Sequence, residues 1–184
     1  KKKKINLSYC PERIVQGYAI KELKSLPQII SGYNKKAKID SEKIFKKITN
    51  KIVYASVYEA ELAKLFSNAM RYIKFSTSNQ FFMMCEKLDV NFYNVKKIMS
   101  EGYNRSNDIP KAGFVSGPCL LKDTMQLSAF FGGNFLLGNA AMNINEGLPY
   151  FVVQKIKEKF KLKNNRVGIL GMSFKAEVDD IRDS

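Results

Sequence analysis

A cysteine and an aspartate four residues apart form the most informative chemical feature of the sequence. Cys119 and Asp123 lie in the segment GPCLLKD at 117–123, and its Gly-Pro pair is typical of a helix start. If Pro118 takes the first helical position, Cys119 lies in the first turn, where free N–H groups and the helix dipole favour a thiolate nucleophile. Asp123 then lies on the same helix face, within reach of whatever the sulfur attacks. A small buried cysteine and a surface aspartate fit the spacing too, and spacing alone favours that interpretation.

Lys64 and Asn68 form a second pair at the same four-residue spacing. An ammonium and an amide side by side on a helix could hold a developing oxyanion or a water molecule. Polar residues at helical spacing usually face solvent, so the simpler interpretation is a solvated surface. Glu12 follows Pro11 at the end of a predicted strand, where α/β proteins gather their sites, although a lone glutamate is ordinarily a surface residue.

The composition excludes several kinds of chemistry. The 184 residues include no histidine, so catalysis by Ser-His-Asp or Cys-His groups and histidine metal sites are impossible within this chain. No spacing typical of zinc or calcium ligands is present, and we predict no metal site. Three cysteines are too few for a disulfide-stapled secreted scaffold, and no run of about 18 apolar residues indicates a membrane span. Reduced thiols and a cytoplasmic protein are therefore expected.

The formal net charge of +14 suggests an anionic partner. Dense lysine favours phosphate backbones, but here the lysines are spread over 35–51, 87–97 and 155–163 and alternate with acidic residues. This pattern is typical of solvated helix faces, so nucleic acid is disfavoured and a small polyanionic ligand such as a nucleotide remains open. Gly168–Gly171 looks like the start of a phosphate loop but lacks the full GxGxxG spacing.

Apolar spacing predicts the elements that must position these residues. Ser56 and Glu59 fit a capping box, so a helix of roughly 30 residues is expected to begin at Val57. A helix capped by Asp40 or Ser41 is expected to run to Asn50. Further helices are predicted at 90–100, 118–131 and 136–161, and strands at 5–9, 28–32, 51–55 and 166–170. Residues 101–117 are predicted to form a functional loop. The expected fold is mainly α with flanking α/β pieces.

Taken together, these residues resemble the UDP-glucose/GDP-mannose dehydrogenase family. Four blocks carry the resemblance in the family's order: YCPER at 9–13, EAELAKLFSN at 59–68, GFVSGPCLLKD at 113–123, and VGILGMSFK at 167–175 continued by DDIRDS at 179–184. The first block leans towards the UDP-N-acetylmannosaminuronate branch. The resemblance implies an NAD-dependent enzyme that oxidises the C6 alcohol of a nucleotide sugar, a UDP-sugar or GDP-mannose, to a carboxylate. It also implies a homodimer through the central helices.

The resemblance assigns a role to each candidate residue. It implies that Cys119 captures the aldehyde as a thiohemiacetal, which a second hydride transfer converts to a thioester for hydrolysis by water. Asp123 would position or activate that water, while Lys64 and Asn68 would stabilise oxyanionic intermediates. Glu12 would assist the hydrolytic step. The positions that match or lie near contacts to the nucleotide sugar or a neighbouring subunit are Lys122, Lys175, Arg182 and Arg105.

The resemblance divides the chain into three parts. Residues 1–56 correspond to the C-terminal part of an NAD-binding α/β domain, residues 57–160 to the helical central dimerisation domain with a long spine helix, and residues 161–184 to the first strand and loop of a UDP-sugar-binding domain. No GxGxxG follows a strand, so cofactor-binding residues are not identified and we expect no turnover by residues 1–184 alone. The competing interpretation is a non-enzymatic helical dimerisation or interaction module whose cysteine is structural.

Overall fold

Helices dominate the computed structural model, which describes residues 5–163, 165–173, 175, 176 and 178–181. Its elements in chain order are α1 (Ala19–Ser25), β1 (Gln28–Ile30), α2 (Lys35–Phe45), β2 (Ile52–Tyr54), α3 (Val57–Lys87), α4 (Phe92–Ser100), a 3₁₀ turn (Asn104–Ser106), α5 (Leu120–Phe130) and α6 (Leu136–Lys159). The chain divides into two compact units, Lys1–Ser67 and Asn68–Ser184. The predicted mainly helical fold with a small α/β piece is confirmed. No helix in the described ranges combines the length and apolar character that a membrane span needs.

The first unit contains a parallel two-stranded sheet. Strand β1 pairs with β2 so that Gln28 lies opposite Ile52 and Ile30 opposite Tyr54. Helix α2 connects the two strands, as a parallel pair requires. Ile29 and Ile30 are buried and form the apolar centre of this sheet.

Helix α2 begins earlier than the sequence predicts. The expected cap was Asp40 or Ser41, but the Asn34 side chain accepts a hydrogen bond from the Ala37 N–H at 2.8 Å and caps the helix. Asp40 instead lies inside the helix, where its carboxylate accepts from the Lys36 ammonium at 2.7 Å. An i, i+4 ion pair is compatible with a helix interior, so the acidic residue supports the helix without starting it.

Two predicted strands do not form. Residues 5–10 have no regular structure, although the Tyr33 N–H donates to the Leu7 carbonyl at 3.0 Å and the Ser31 hydroxyl donates to the Tyr9 carbonyl. Residues 165–173 also lie outside any helix or strand. A strand needs a repeated ladder of hydrogen bonds to a neighbour. Both segments have the alternating apolar residues that are typical of a strand, but neither forms that ladder, so the two strand predictions are wrong.

Helix α3 begins at the residue that the sequence predicts. The Ser56 N–H donates to the Glu59 carboxylate at 2.7 Å, and the Glu59 N–H donates to the Ser56 hydroxyl at 3.3 Å. Hydrogen bonding by the Ser56 backbone N–H, and next by the Ser56 side chain, holds the pKa of the Glu59 carboxyl below its usual value. The capping box is therefore formed. The helix has 31 residues, a length of about 46 Å at 1.5 Å per residue.

The second unit is built from helices joined by specific turns. The Asn91 side chain accepts from the N–H groups of the first turn of α4. Two glycines with positive φ, Gly132 at 61° and Gly133 at 83°, end α5. The Gly133 N–H donates to the Ser128 carbonyl at 2.8 Å and the Gly132 N–H to the Ala129 carbonyl at 3.1 Å, which is a Schellman motif. The turn returns the chain so that α6 packs against α5. Buried apolar residues of this unit include Ala69, Tyr72, Phe92, Leu127, Ala141 and Leu148.

Candidate active site

Cys119 lies at the start of α5 with its side chain exposed. It precedes the first helical residue, Leu120, so it occupies the capping position and not the predicted first turn. The difference arises because Pro118 lies in the preceding turn, after Gly117 with a φ of 100°. The Cys119 carbonyl accepts the Asp123 N–H at 3.0 Å, whereas its thiol makes no capping hydrogen bond. The thiol is thus presented to solvent beside the free N–H groups of a helix start.

Asp123 is buried, with 5% of its surface exposed. The Asn68 amide donates to Asp123 Oδ2 at 2.6 Å. The Lys122 ammonium lies 3.5 Å from Oδ1, but the Lys122 side chain is 68% exposed. Because a buried carboxylate is costly without a partner, the neutral amide provides its main support. The alternative of a buried cysteine beside a surface aspartate is therefore wrong about burial, because Cys119 is exposed and Asp123 is buried.

Glu12 and Lys64 form an ion pair within the first unit. The Lys64 ammonium lies 3.3 Å from Glu12 Oε1, with the lysine side chain only 18% exposed. The other Glu12 oxygen accepts the Ile14 N–H at 2.8 Å. The neighbouring Arg13 guanidinium donates to the Pro27 carbonyl at 2.8 Å and fixes the same segment. Lys64 is thus a partly buried cation with a defined partner, which the solvated-surface interpretation did not predict.

Four further residues were predicted to contact the nucleotide sugar or a neighbouring subunit: Lys122, Arg105, Lys175 and Arg182. Lys122 is largely exposed, and the Arg105 guanidinium lies 5.6 Å from the centre of the Tyr103 ring. Lys175 is partly buried. Arg182 lies outside the described residues. Their assignment to a nucleotide sugar stays a prediction.

A buried cluster of polar side chains was missed by the sequence analysis. Asn79 is fully buried: its amide donates to the Gly113 carbonyl at 3.0 Å and to Asn145 Oδ1 at 2.9 Å, and its Oδ1 accepts the Gly113 N–H at 2.8 Å. Asn145 in turn donates to the Tyr72 carbonyl at 3.2 Å. The signal was present, because Tyr72, Ser76 and Asn79 recur at the spacing of one helix face. We call Tyr72, Asn79 and Asn145 the asparagine cluster.

Two further side chains of α3 hold the loop that precedes Cys119. The Ser78 hydroxyl donates to the Pro110 carbonyl at 2.8 Å. The Lys74 ammonium lies 2.6 Å from Asp108 Oδ2, and its hydrogen bond lowers the pKa of the Asp108 carboxyl. The loop between α4 and α5 is therefore fixed at several points by a single helix.

The site is suited to nucleophilic chemistry by a thiol. An exposed sulfur at a helix start, one turn before a buried and hydrogen-bonded carboxylate, combines a nucleophile with a fixed proton acceptor. Groups of three or more side chains able to hold a metal ion do not occur among the described residues. Fold and site together define a mainly helical domain that presents a cysteine at the start of a helix.

Comparison with known proteins identifies this domain. Residues 58–147 match the central domain of the UDP-glucose/GDP-mannose dehydrogenase family. The chain is 29% identical over 182 residues to UDP-N-acetyl-D-mannosamine dehydrogenase of Campylobacter jejuni, covering 98% of this chain and 44% of that protein. It is 30% identical to the enzyme of the same name from Methanocaldococcus jannaschii, covering 100% and 43%. The chain belongs to the UDP-glucose/GDP-mannose dehydrogenase family, which confirms the family prediction.

Solved structures agree with this assignment. The structure of UDP-D-ManNAc dehydrogenase from Pyrococcus horikoshii matches with a TM-score of 0.86 and 28% identity, over 97% of this chain and 44% of that one. A UDP-glucose dehydrogenase from Pyrobaculum islandicum matches with a TM-score of 0.85 and 26% identity, over 97% and 43%. The chain thus spans less than half the length of the relatives that it matches.

Proposed function

We propose that this chain forms the catalytic centre of an NAD-dependent nucleotide-sugar 6-dehydrogenase, which oxidises the C6 alcohol of a UDP-sugar to a uronate. The observation that carries the proposal is the exposed Cys119 thiol, one helical turn before a buried Asp123 that Asn68 holds at 2.6 Å. The relatives named UDP-N-acetyl-D-mannosamine dehydrogenase favour UDP-N-acetylmannosamine as the sugar. GDP-mannose, the other substrate class of the family name, is the alternative.

The residues described here do not account for the binding of NAD. The sequence has no GxGxxG motif, and the segment around Gly168 and Gly171 lies in no strand or helix. A dinucleotide cradle needs a strand, a glycine-rich turn and a helix start. We therefore assign no residue to the cofactor, whose chemistry in this reaction is the acceptance of two hydrides.

Cys119 performs the first step that belongs to this chain. Its thiolate adds to the carbonyl carbon of the C6 aldehyde, so a C–S bond forms and the carbonyl π electrons move to oxygen. Hydrogen-bond donors stabilise the resulting oxyanion. We assign this role to the Lys64 ammonium and the Asn68 amide, which are both partly buried. Bound NAD would supply the acceptor for a hydride from the thiohemiacetal, and Cys119 would then carry a thioester.

Hydrolysis of the thioester is assigned to the carboxylates. Asp123 accepts a proton from water as the water oxygen attacks the thioester carbon. The C–S bond then breaks, its electron pair returns to sulfur, and the uronate leaves. The Asn68 amide occupies one oxygen of Asp123, so the orientation of the carboxylate is fixed before water arrives. We assign an assisting role in this step to Glu12, whose carboxylate is restrained by its ion pair with Lys64 at 3.3 Å.

We also propose that the protein is a homodimer assembled through its central helices. Large apolar side chains are at least half exposed around the turn between α5 and α6 and on α6 itself: Phe130, Phe131, Leu136, Leu137 and Tyr150. Several large apolar side chains exposed near one another, as at this turn, mark an interaction site. We propose a cytoplasmic location because all three cysteines are free. The net charge of +14 suits the diphosphate of a nucleotide sugar.

The test is product analysis with the complete gene product, UDP-N-acetylmannosamine and NAD. We expect two NADH molecules for each uronate. Cys119→Ser should stop uronate formation and leave the C6 aldehyde, which a hydrazine reagent traps. Cys85→Ser is the matched control, because Cys85 lies partly buried within α3, and it should form uronate normally. Normal uronate formation by Cys119→Ser would refute the proposed role of the thiol. Robust NADH production by residues 1–184 alone would refute the expectation that they do not turn over without further chain.

A further inference from the structure

The loop that leads to Cys119 has no regular structure of its own. Residues 107–116 form no helix or strand. Gly113 lies only six positions before Cys119 along the chain. A misplacement of about 1 Å at a reacting group can lower a rate about a hundredfold. Something other than secondary structure must therefore fix this loop if Cys119 is to react efficiently.

Asn79 binds both main-chain groups of Gly113. Its Oδ1 accepts the Gly113 N–H at 2.8 Å, and its amide donates to the Gly113 carbonyl at 3.0 Å. A residue of a neighbouring β-strand would make the same pair of bonds. The Asn79 side chain thus replaces a strand partner at one position of an irregular loop.

The asparagine cluster allows only one orientation of this amide. Asn79 is 0% exposed and Asn145 3% exposed, so an unpaired polar atom there would be costly. The Asn79 amide also donates to Asn145 Oδ1 at 2.9 Å, and the Asn145 amide donates to the Tyr72 carbonyl at 3.2 Å. Turning either amide over would place like groups against each other. Asn79 holds Gly113 through its main chain. The space beside this residue is open, because a Cβ there would meet no atom within 4 Å.

We propose that Asn79 is a positioning residue for the oxidation at Cys119: it fixes the loop that leads to the thiol, and Asn145 fixes Asn79. This inference rests on the proposed function, because positioning has meaning only if Cys119 reacts. Its physical part, a loop held in one conformation by a side-chain amide, can be measured without turnover.

The experiment uses Asn79→Asp in the complete gene product. The variant keeps the acceptor for the Gly113 N–H but replaces the donor by an oxygen that faces the Gly113 carbonyl. Hydrogen exchange of the amides at 108–117 should accelerate about fivefold, since the variant loses one hydrogen bond to the loop and each lost bond changes an opening equilibrium by roughly a factor of five. KM for the UDP-sugar should rise and kcat should fall. Asn139→Asp is the matched control.

Asn139 lies on α6, as Asn145 does, and like Asn79 it makes side-chain hydrogen bonds within the second unit. Its bonds go to the end of α5 and the turn that follows: its Oδ1 accepts from the Ser128 hydroxyl at 2.7 Å, and its amide donates to the Gly133 carbonyl at 2.8 Å. Its variant should leave loop exchange and kinetics unchanged. If Asn79→Asp does not fold, Ser78→Ala removes only the bond to the Pro110 carbonyl and should accelerate exchange in the same loop severalfold.

Wild-type exchange rates in the loop of whichever variant folds would overturn the inference. Equal acceleration in Asn139→Asp would overturn it too, and so would faster exchange with unchanged KM and kcat. A wild-type protein that oxidises no nucleotide sugar would instead refute the proposed function, while the exchange data would still report on the loop.

Discussion

Removal of the amide that supports Asp123 should destabilise the folded protein measurably. Asn68→Ala leaves a carboxylate that is 5% exposed without its donor at 2.6 Å. Lys122 compensates little, because it lies 3.5 Å away and is mostly in water. A hydrogen bond to a charged group contributes about 1.5–3 kcal/mol. We therefore expect a loss of about 2 kcal/mol in the free energy of unfolding.

A double-mutant cycle with Asp123→Ala isolates this interaction. Urea unfolding followed by far-UV circular dichroism measures each variant, and with a slope of about 2 kcal/mol/M a loss of 2 kcal/mol lowers the midpoint by about 1 M. Asn68→Ala combined with Asp123→Ala should cost less than the sum of the single changes by about 1.5–3 kcal/mol. Asn143→Ala, at an exposed position of α6, is the control and should stay within about 0.5 kcal/mol of the wild type. A coupling energy below about 0.5 kcal/mol would show that the bond does not support the carboxylate.

Two further predictions concern the buried tyrosine and the apolar surface. Burial and the hydrogen bond to Glu146 at 2.8 Å raise the pKa of Tyr72 above its ordinary value of 10.0. The contribution of Tyr72 to stability is then fully present below the pKa of the unfolded chain and is lost as the pH rises above about 10. Tyr72→Phe should therefore lower the free energy of unfolding by about 1 kcal/mol at pH 7, and in urea titrations it should lose less stability than the wild type as the pH rises. Leu136→Glu should convert the proposed dimer to a monomer by light scattering, whereas Ile98→Glu on α4 should not; a dimeric Leu136→Glu would place the interface elsewhere.

Elements governed by local signals could be predicted from the sequence. The start of α3 depends on Ser56 and Glu59, which lie three residues apart, and the end of α5 depends on adjacent glycines. Elements that depend on a distant partner could not. Residues 5–9 alternate as a strand does, but only a neighbouring strand could provide the ladder of hydrogen bonds. The start of α2 was misplaced because an acidic residue inside a helix and one at its cap are alike in sequence.

In the candidate site, too, pairs of residues close in sequence could be predicted, whereas contacts between distant residues could not. Helical spacing predicted one shared helix face for Lys64 with Asn68, which both lie in α3, and another for Cys119 with Asp123, although Cys119 lies one residue before α5. It could not identify the bond between Asn68 and Asp123, which are 55 positions apart. The role of Asn79 was hidden for a related reason: its partner, Gly113, lies 34 positions later in a loop. From sequence alone, a polar residue in a long helix is predicted to face solvent, unless the segment that covers it is known.

Around Gly113, α3 holds the loop through the main chain; the Lys74–Asp108 ion pair is the contact described above that uses a side chain of the loop. Asn79 and Ser78 bind only main-chain atoms of Gly113 and Pro110. Phe114, the next residue, is 60% exposed. Substitutions at 114–116 can therefore change the exposed surface of the loop without loss of the hydrogen bonds that Asn79 and Ser78 make to it. This arrangement separates the choice of the exposed side chains of the loop from the maintenance of its conformation.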